Sequence, residues 1–538
     1  MNGEAYRNPL PDPSLPLEID GEHLTLDDVV AVARAGRPVR LSPRSRRRVA
    51  RCRAWVDRVA RQGNLVVYGL NTGFGSLAGV SIPIEQSARL AHNLIVSHAC
   101  GVGEPLAEEV VRAAMLIRAN TLARGYSGVR PETLETLLEM LNRGVHPVVP
   151  SRGSLGASGD LAPLSHIVLV LARDPDGGDE PSGEAFYRGE RLSGAEAMRR
   201  AGLSRPVLQA KEGLALNNGT AVSTALLALA LADAELLVRQ AEVAVALSME
   251  ALRGVPNALD ERLHRLRNHP GQVASAAAMR RFLQGSTLIG SAARVQDAYS
   301  LRCAPQVLGA ARDTLAFVRQ VVERELNAVT DNPLIFPDLE RPNKALSGGN
   351  FHGEPIALAA DFLAIAVAEV GNIAERRIFR LLTRQLNDGL PPMLVQESGL
   401  NAGWMIPQYV AAALASENKT LAHPDSVDSI PTCEEQEDHV SNSANAALHA
   451  RQVVWNVEQI VAIELLCAAQ AVDLRLGLEP DARLGQGTAA VRRRIRESVS
   501  FLSGDRFLQP DIEAVAGMVH RGDILRAAEE ACTDPPPR

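Results

Sequence analysis

The 538-residue chain has few aromatic residues, no excess of basic charge and no closely spaced cysteines. Aromatic side chains make up 4% of the residues, which disfavours a core of β-sheets, where aromatic residues are enriched. The formal net charge of −7 gives no positive surface for a phosphate backbone, so nucleic acid is not an expected partner. A chain of this length can bury a sizeable hydrophobic core.

Signals of secretion and of membrane insertion are also missing. The first residues lack the charged and apolar regions of a signal peptide, and the six cysteines show no CxxC spacing, so a reducing cytoplasm is predicted. The longest charge-free apolar run, 219–232, ends at Asp233 and is shorter than the roughly 20 residues that cross a bilayer, so no membrane partner is expected. The cysteines are Cys52, Cys100, Cys303, Cys433, Cys467 and Cys532.

Long stretches rich in Ala and Leu are the main feature of the second half of the chain. Ala has the highest helix propensity and its small side chain lets helices pack closely, so these stretches predict an all-α fold with a large bundle of long antiparallel helices. They cover 221–252, 308–326, 356–382 and 453–474. We divide the chain into a disordered leader (1–16), an N-terminal helical domain (17–208) and the long-helix bundle with a C-terminal helical region (209–538), whose closing DPPPR is expected to fray.

The segment GSLGASGDLAPLSH (153–166) places three glycines around Ala157 and Ser158, directly before an apolar helical stretch. Three interpretations are open: a phosphate cradle at a helix N-terminus, a structural turn, or chemistry of the backbone itself. No Lys follows the glycines, no β-run of the dinucleotide-binding type precedes them and the spacing does not match a P-loop, which disfavours phosphate binding.

Backbone chemistry gives each residue of the triplet a reason. If the amide nitrogen of Gly159 attacks the carbonyl of Ala157, a five-membered ring closes, and dehydration there and at Ser158 leaves a conjugated methylidene. Gly159 has no Cβ to block the approach and adopts strained backbone angles easily. Asp160 is predicted to cap the following helix, whose positive N-terminal end favours an electron-poor centre.

Several long motifs then identify the chain as similar to a known family, the aromatic amino acid lyases and aminomutases that carry 4-methylideneimidazole-5-one (MIO) made from an Ala-Ser-Gly triplet. The resemblance extends from about Leu17 to Arg526. It implies an all-α, fumarase/aspartase-like fold, a homotetramer with active sites shared between subunits, and no external cofactor. The motifs are YGLNTGFG (68–75), NLIVSHACGVG (93–103), GSLGASGDLAPLSH, KEGLALNNGT (211–220), QDAYSLRCAPQV (296–307), TDNPL (330–334), SGGNFHGEP (347–355) and SENKTLAHPDSVDSIPTCEEQEDHVS (416–441).

The resemblance also implies roles for individual residues. A free tyrosine has a pKa near 10, so Tyr68, as the base for the β-proton, needs a positive or hydrogen-bonding environment that lowers its pKa. The spacing of Gln296, Tyr299 and Arg302 predicts one stripe of a helix. By resemblance, Ala157, Ser158 and Gly159 form MIO, Tyr299 and Gln296 line it, Phe351 backs it, Asn218 contacts the ring and the substrate carboxylate, and Arg302 binds that carboxylate.

Two further positions resemble the histidine-specific members of the family. These are Ser97-His98 and Glu437, the latter at a position where members acting on phenylalanine or tyrosine typically carry Gln. A carboxylate suits an imidazole because it accepts a hydrogen bond from a ring N–H. Thr432 and Glu435 have the spacing of a capping box, which predicts a helix with Glu437 one turn inside it. His352, His423, His439 and His449 form no metal-binding motif, so no metal is expected.

The reaction that the resemblance implies is non-oxidative elimination of ammonia from L-histidine to give trans-urocanate. Whether the amine or the imidazole of the substrate adds to MIO stays open. The alternatives are a lyase or 2,3-aminomutase acting on another aromatic or modified amino acid, and a non-catalytic relative that binds without turnover. Four residues depart from the usual histidine-specific pattern near the pocket motifs: Asn217, Ala221, Trp404 and Asn442.

Overall fold

The computed structural model describes residues 15–532. The first strand begins at Leu17, where the sequence predicts that order begins. Most of the predicted leader, and the closing DPPPR that is predicted to fray, lie outside the described residues.

Helices form most of the described chain, and the predicted all-α class is confirmed. Short 3₁₀ turns occur at Gly75–Leu77, Ile84–Gln86, Pro256–Leu259 and Pro392–Leu394. The α-helices are α1 (Leu26–Ala35), α2 (Pro43–Gln62), α3 (Ser87–His98), α4 (Glu108–Ala123), α5 (Pro131–Arg143), α6 (Leu161–Leu171), α7 (Gly194–Arg200), α8 (Glu212–Asn217), α9 (Ala221–Ala251), α10 (Glu261–Arg267), α11 (Pro270–Phe282), α12 (Tyr299–Arg302), α13 (Ala304–Leu326), α14 (Glu354–Leu382), α15 (Met405–Leu421), α16 (Ser443–Leu478), α17 (Gln486–Arg496), α18 (Gln509–Arg521) and α19 (Asp523–Ala531).

The strands are two to four residues long and pair neighbouring loop segments, whereas the core is formed by helices. β1 pairs with β2 in parallel, β3 pairs with β5, β4, β6 and β7 form a three-stranded antiparallel sheet, and β8 pairs with β9. Their bounds are β1 (Leu17–Ile19), β2 (Val39–Leu41), β3 (Val102–Pro105), β4 (Val145–Pro147), β5 (Pro150–Arg152), β6 (Glu184–Tyr187), β7 (Glu190–Ser193), β8 (Leu334–Ile335) and β9 (Ala345–Leu346).

The core lies in a bundle in which α9, α13, α14 and α16 pack against one another. Each covers one of the four Ala- and Leu-rich stretches, so the predicted bundle of long helices is confirmed. α9 and α14 are long and apolar enough to cross a membrane, but 89% and 72% of their most apolar windows are buried within the fold. Burial inside the protein accounts for their composition, because a core helix is apolar on nearly all sides.

A second, smaller group of helices leads from the N-terminal region to the bundle. All residues from 110 to 123 in α4 are buried, and α4 packs against α1, α5 and α9. α6, which follows the triplet, packs against α3 and α8. The division at residue 208 stays a prediction, since α4 of the first region lies directly on α9 of the second.

Candidate active site

The triplet loop, residues 153–160, connects β5 to α6 and lies against the turn that precedes α9. The φ angles of Gly159 and Gly219 are +73° and +154°, and a Cβ placed on Gly159 would lie 2.3 Å from the carbonyl oxygen of Gly219. The amide of Asp160 donates to that same oxygen at 2.7 Å. Gly159 therefore accommodates no side chain because of the Gly219 backbone, and Gly219 accommodates none because its Cβ would lie 2.3 Å from the carbonyl oxygen of Thr330.

Asp160 does not cap the helix that it precedes, contrary to the prediction. Its carboxylate is buried and accepts hydrogen bonds from the amides of Val222 and Ser223, in the first turn of α9, at 2.9 and 2.8 Å. It also accepts from the hydroxyls of Ser223 and Ser154, at 2.6 and 2.8 Å. Burial raises the pKa of Asp160, and these hydrogen bonds lower it. The aspartate therefore caps a bundle helix and attaches the triplet loop to it.

Ser158 is held at both of its polar ends. Its hydroxyl donates to Oε1 of Glu437 at 2.5 Å, and its carbonyl accepts from Nδ2 of Asn218 at 2.7 Å. Oδ1 of Asn218 is buried and has no hydrogen-bond partner within residues 15–532. Two of the predicted substrate-binding residues, Asn218 and Glu437, thus contact the central residue of the triplet.

The other side of the triplet loop is covered by the starts of α14 and α16. The carbonyl of Gly156 accepts from the amide of Gly353 at 3.0 Å and from the hydroxyl of Ser441 at 3.1 Å. A Cβ on Gly156 would lie 2.3 Å from the hydroxyl oxygens of Ser441 and Ser443, so only a glycine fits. Phe351 lies two residues before Gly353, which places the loop that carries it beside the triplet.

The segment that carries Glu437 is a turn and not the predicted helix. Cys433, Glu434 and Glu435 have φ angles of 54°, 53° and 63°, which are left-handed, so Thr432 and Glu435 form no capping box. Thr432 and Glu437 instead exchange backbone hydrogen bonds of 2.9 and 3.3 Å, and the Thr432 hydroxyl donates to Oε2 of Glu437 at 3.1 Å. The prediction that Glu437 lies in a helix is therefore wrong, and the turn places its carboxylate beside the Ser158 hydroxyl.

Tyr68 lies in a loop that contacts this turn. Its hydroxyl accepts a hydrogen bond from the amide of Gly75 at 3.1 Å, and the next amide, of Ser76, donates to the thiol sulfur of Cys433 at 3.3 Å. Burial raises the pKa of Tyr68, the hydrogen bond from the Gly75 amide lowers it, and electrostatic interactions with Cys433 and Glu437 raise it further. The net shift is upward, opposite to the shift that a general base needs.

His98 is the last residue of α3, and its Nδ1 lies 3.0 Å from the hydroxyl of Ser97. Burial lowers the pKa of His98, whereas the nearby charge of Glu437 raises it. The same carboxylate therefore acts on Ser158, Tyr68 and His98, and the structure brings these predicted residues together.

The Arg302 cluster, which consists of Gln296, Tyr299 and Arg302, shares no side-chain hydrogen bond with them among residues 15–532. α12 is only four residues long and Gln296 precedes it in a loop, so the predicted single helical stripe is wrong. Arg302 donates to Oε1 of Gln296 at 2.6 Å, and its guanidinium lies 4.7 Å from the centre of the Tyr299 ring. Tyr299 is 70% exposed. Within residues 15–532, none of the three side chains has a hydrogen bond to the triplet loop.

The four residues that depart from the histidine-specific pattern are all buried. Nδ2 of Asn217 donates to the hydroxyl of Ser165 at 3.1 Å, which connects α8 to α6. Asn442 has a φ of 55° and donates to the carbonyls of residues 425 and 428, at 3.3 and 3.0 Å. These two amides support loop and helix backbones beside the site. Ala221 begins α9, and Trp404 precedes α15.

The supporting residues that have no predicted role are glycines and serines: Ser154, Gly219, Ser223, Gly353, Ser441 and Ser443. Ser154, Gly219, Gly353 and Ser441 lie inside the motifs that carry the resemblance, which is their local signal, whereas Ser223 and Ser443 lie just beyond the ends of two of these motifs. In the part of the chain that the structure describes, no group of three or more His, Cys, Asp or Glu side chains could hold a metal ion.

Known proteins resemble this chain over nearly its whole length. The family profile described as aromatic amino acid lyase matches residues 24–497. A histidine ammonia-lyase from Symbiobacterium thermophilum is 55% identical over 511 residues, which cover 95% of this chain and 97% of that protein. Among solved structures, histidine ammonia-lyase from Trypanosoma cruzi superposes with a TM-score of 0.87 at 39% identity, covering 97% and 99% of the two chains. Tyrosine aminomutase from Streptomyces globisporus gives a TM-score of 0.89 at 37% identity, covering 97% and 100%.

Proposed function

The chain belongs to the aromatic amino acid lyase family, and from this premise we propose that it is a histidine ammonia-lyase, which eliminates ammonia from L-histidine to give trans-urocanate, a reaction of histidine catabolism. The observation that supports histidine as the substrate is the position of Glu437. Its carboxylate accepts a hydrogen bond from Ser158 and raises the pKa of His98. A carboxylate and a histidine ring at this place offer the hydrogen-bond partners that an imidazole needs.

The triplet fits the formation of MIO. The Gly159 amide nitrogen bonds to the carbonyl carbon of Ala157, whose oxygen leaves as water with the amide hydrogens of Gly159 and Ser158. The Ser158 hydroxyl leaves as a second water with the hydrogen on its Cα. Gly159 has no Cβ and a left-handed φ, which suits the tight turn that this bond requires, and Asn218 holds the Ser158 carbonyl, which stays the carbonyl of the ring.

MIO would supply an electron-poor methylidene carbon that takes up electron density from the substrate and so makes its amino nitrogen a better leaving group. The chain's own residues do the remaining work. The amide N–H of Asn218 stabilises negative charge at the carbonyl of residue 158, because it is already oriented toward that oxygen. Glu437 and His98 hold the imidazole, and Phe351 covers the ring from the side of α14.

Tyr68 removes the proton from the β-carbon in this proposal. Its pKa is raised by burial in the single chain, so the site needs a cation close to the Tyr68 hydroxyl before the tyrosine can act near neutral pH. By resemblance to the family, the Arg302 guanidinium is a cation that contacts the substrate. Arg302 binds the carboxylate, with Tyr299 and Gln296 beside it.

We infer that the Arg302 cluster completes the site in another copy of the chain, within a cytoplasmic homotetramer. Tyr299 and Gln296 are exposed, so a second chain can reach both side chains. A groove of about 730 Å³ between α13 and α14 exposes Phe317, Phe362 and Ile365, and its lining begins at Gln306, four residues after Arg302. Apolar surface of this kind is typical of a subunit interface.

A second candidate function is a MIO-dependent 2,3-aminomutase, because the fold resembles a tyrosine aminomutase as closely as a histidine ammonia-lyase. The deciding experiment incubates the protein with L-histidine, L-phenylalanine and L-tyrosine separately and identifies the products by absorbance and mass. Urocanate from histidine supports the proposal. A β-amino acid indicates the mutase, and turnover of phenylalanine or tyrosine alone overturns the substrate.

The same sample also tests MIO directly. Intact-mass measurement of a protein with MIO gives the mass of the translated sequence less two waters. A protein at full translated mass that binds histidine without turnover would be a non-catalytic relative.

A further inference from the structure

The segment that follows His98 is attached to the helix that follows the triplet by one side chain, His166. The amide of Gly101, three residues after His98, donates to Nε2 of His166 in α6 at 3.1 Å. His166 closes the GSLGASGDLAPLSH motif, and none of the roles described above uses it.

The same segment is attached on the other side of the triplet loop as well. β3 begins at Val102, which pairs with Arg152 at the end of β5, just before the triplet loop. A Cβ on Gly153 would lie 3.3 Å from the Cα of Gly101, so the two backbones are in close contact. The end of α3 is therefore connected to both arms of the triplet loop, by a strand pair on one side and by the His166 imidazole on the other.

Nε2 of His166 can accept the Gly101 hydrogen bond only when the ring is neutral and its proton is on Nδ1. Burial lowers the pKa of His166, which favours this neutral form. Arg152 of β5 approaches Gly101 through its backbone carbonyl and not through its charged group. Burial is the cause of the pKa shift at His166, and within residues 15–532 no charged side chain contributes to it.

We propose that His166 is a positioning residue for substrate recognition: its neutral imidazole holds the Gly101 amide and thereby fixes His98 over the triplet. His98 has no strand or helix after it until Val102, so the direction of its ring depends on how residues 99–101 are held. This inference rests on the proposed function only for the role of His98.

The experiment compares His166→Leu, which removes the acceptor, with His166→Gln, whose side-chain oxygen replaces Nε2 at a similar reach. His264→Leu is the matched control, since His264 likewise lies in a helix with a ring nitrogen hydrogen-bonded, and it bonds the carbonyl of Ala258 and Gln272 and no residue of the triplet loop. The readouts are hydrogen exchange in peptides that contain Gly101, the intact mass, and kcat and KM for L-histidine.

We expect faster exchange at residues 99–103 and a KM about tenfold higher in His166→Leu, with kcat changed about twofold or less and both waters still lost. His166→Gln should restore exchange and KM, and His264→Leu should lower the melting temperature alone. As pH falls through the pKa of His166, KM should rise more steeply in the wild type than in His166→Gln, because His98 and the substrate imidazole titrate in both proteins and only the wild type also loses the acceptor at residue 166.

Unchanged exchange at Gly101 in His166→Leu would overturn the proposal, as would a His166→Gln that behaves like His166→Leu. Faster exchange with unchanged KM would show that the contact is structural and does not position His98. If histidine is not turned over by the wild type, the proposed function fails, and the hydrogen-exchange comparison still decides whether His166 holds the segment.

Discussion

The triplet loop and the Arg302 cluster, two parts of one candidate active site, differ in how completely a single chain builds them. The triplet loop is bonded to the turn before α9, to the start of α16 and to the Glu437 turn. In the Arg302 cluster, Gln296 and Tyr299 are exposed, and the Arg302 guanidinium contacts the side chains of these two residues. Under the proposed function, the groups that form the ring are held by their own chain, whereas the guanidinium proposed to bind the substrate's carboxylate lies beside exposed side chains.

This difference indicates where preorganisation is needed. Ring closure is sensitive to changes of about a few tenths of an ångström in the distance between the Gly159 nitrogen and the Ala157 carbonyl carbon. Several contacts must therefore fix the triplet in place before any substrate binds. A guanidinium that binds a carboxylate tolerates small displacements, and assembly can supply its final position. Substitutions in the two parts should therefore fail in different ways.

The largest effect is expected for Ser158→Ala. Without the hydroxyl no methylidene can form, so the two-water loss should disappear and turnover should fall by about 10⁴-fold or more, because the electrophile supplies the difficult step. Intact mass and steady-state rates measure both. A variant with undiminished turnover would show that the triplet loop is only structural.

Tyr68→Phe should separate catalysis from ring formation. Turnover should fall by about 10³-fold, within the range for loss of a general base, while the intact mass still lacks two waters. The mass is unaffected because the Tyr68 hydroxyl contacts the Gly75 amide and not the triplet. If the mass no longer lacks two waters, Tyr68 takes part in ring formation as well as in turnover.

Mixing two inactive variants tests whether the Arg302 cluster acts across subunits. Arg302→Ala alone should lower turnover by about 10²- to 10³-fold, since the substrate carboxylate loses a charged partner. Coexpression with Ser158→Ala should then restore part of the activity, because some sites combine an intact triplet from one chain with an intact Arg302 from another. No recovery in mixed oligomers, verified by two different affinity tags, would mean that each chain builds its site alone.

Glu437→Gln should give the smallest of these effects and the most specific one. The KM for L-histidine should rise about tenfold, the size of one charged hydrogen bond, and turnover of L-phenylalanine should not decrease. Glu434→Gln is the matched control, because Glu434 lies in the same left-handed turn and has no contact with the triplet loop among the described hydrogen bonds. Equal effects of both substitutions would assign the loss to the turn and not to the carboxylate.

The elements that follow from local sequence were predictable. The four long helices are encoded by Ala and Leu at helical spacing, and their boundaries differ from the predictions by a few residues except at the start of α16, which begins ten residues earlier than predicted. Ser158, Asn218 and Glu437 were identified because each stands in a long motif, and the structure brings them into contact.

Interactions between distant segments were not predictable from local patterns. Asp160 has the sequence position of a cap for α6, but its partner Ser223 is 63 residues away, and only the docking of the triplet loop on α9 brings them together. Thr432 and Glu435 have capping-box spacing, yet the chain turns left-handed there because Cys433 and Glu437 are held by other loops. The spacing of Gln296 and Arg302 fits a helix, but these two side chains pair across a loop.

The close approach of Gly159 and Gly219 has a consequence for protein engineering. An Ala-Ser-Gly triplet moved alone onto another helical scaffold would lack Gly219, the glycine whose backbone contacts Gly159. It would also lack Asp160, which bonds the triplet loop to the first turn of α9. The smallest transplantable unit is therefore discontinuous, made of two loops and the first turn of one helix, and a graft that omits any of them should leave the tripeptide linear.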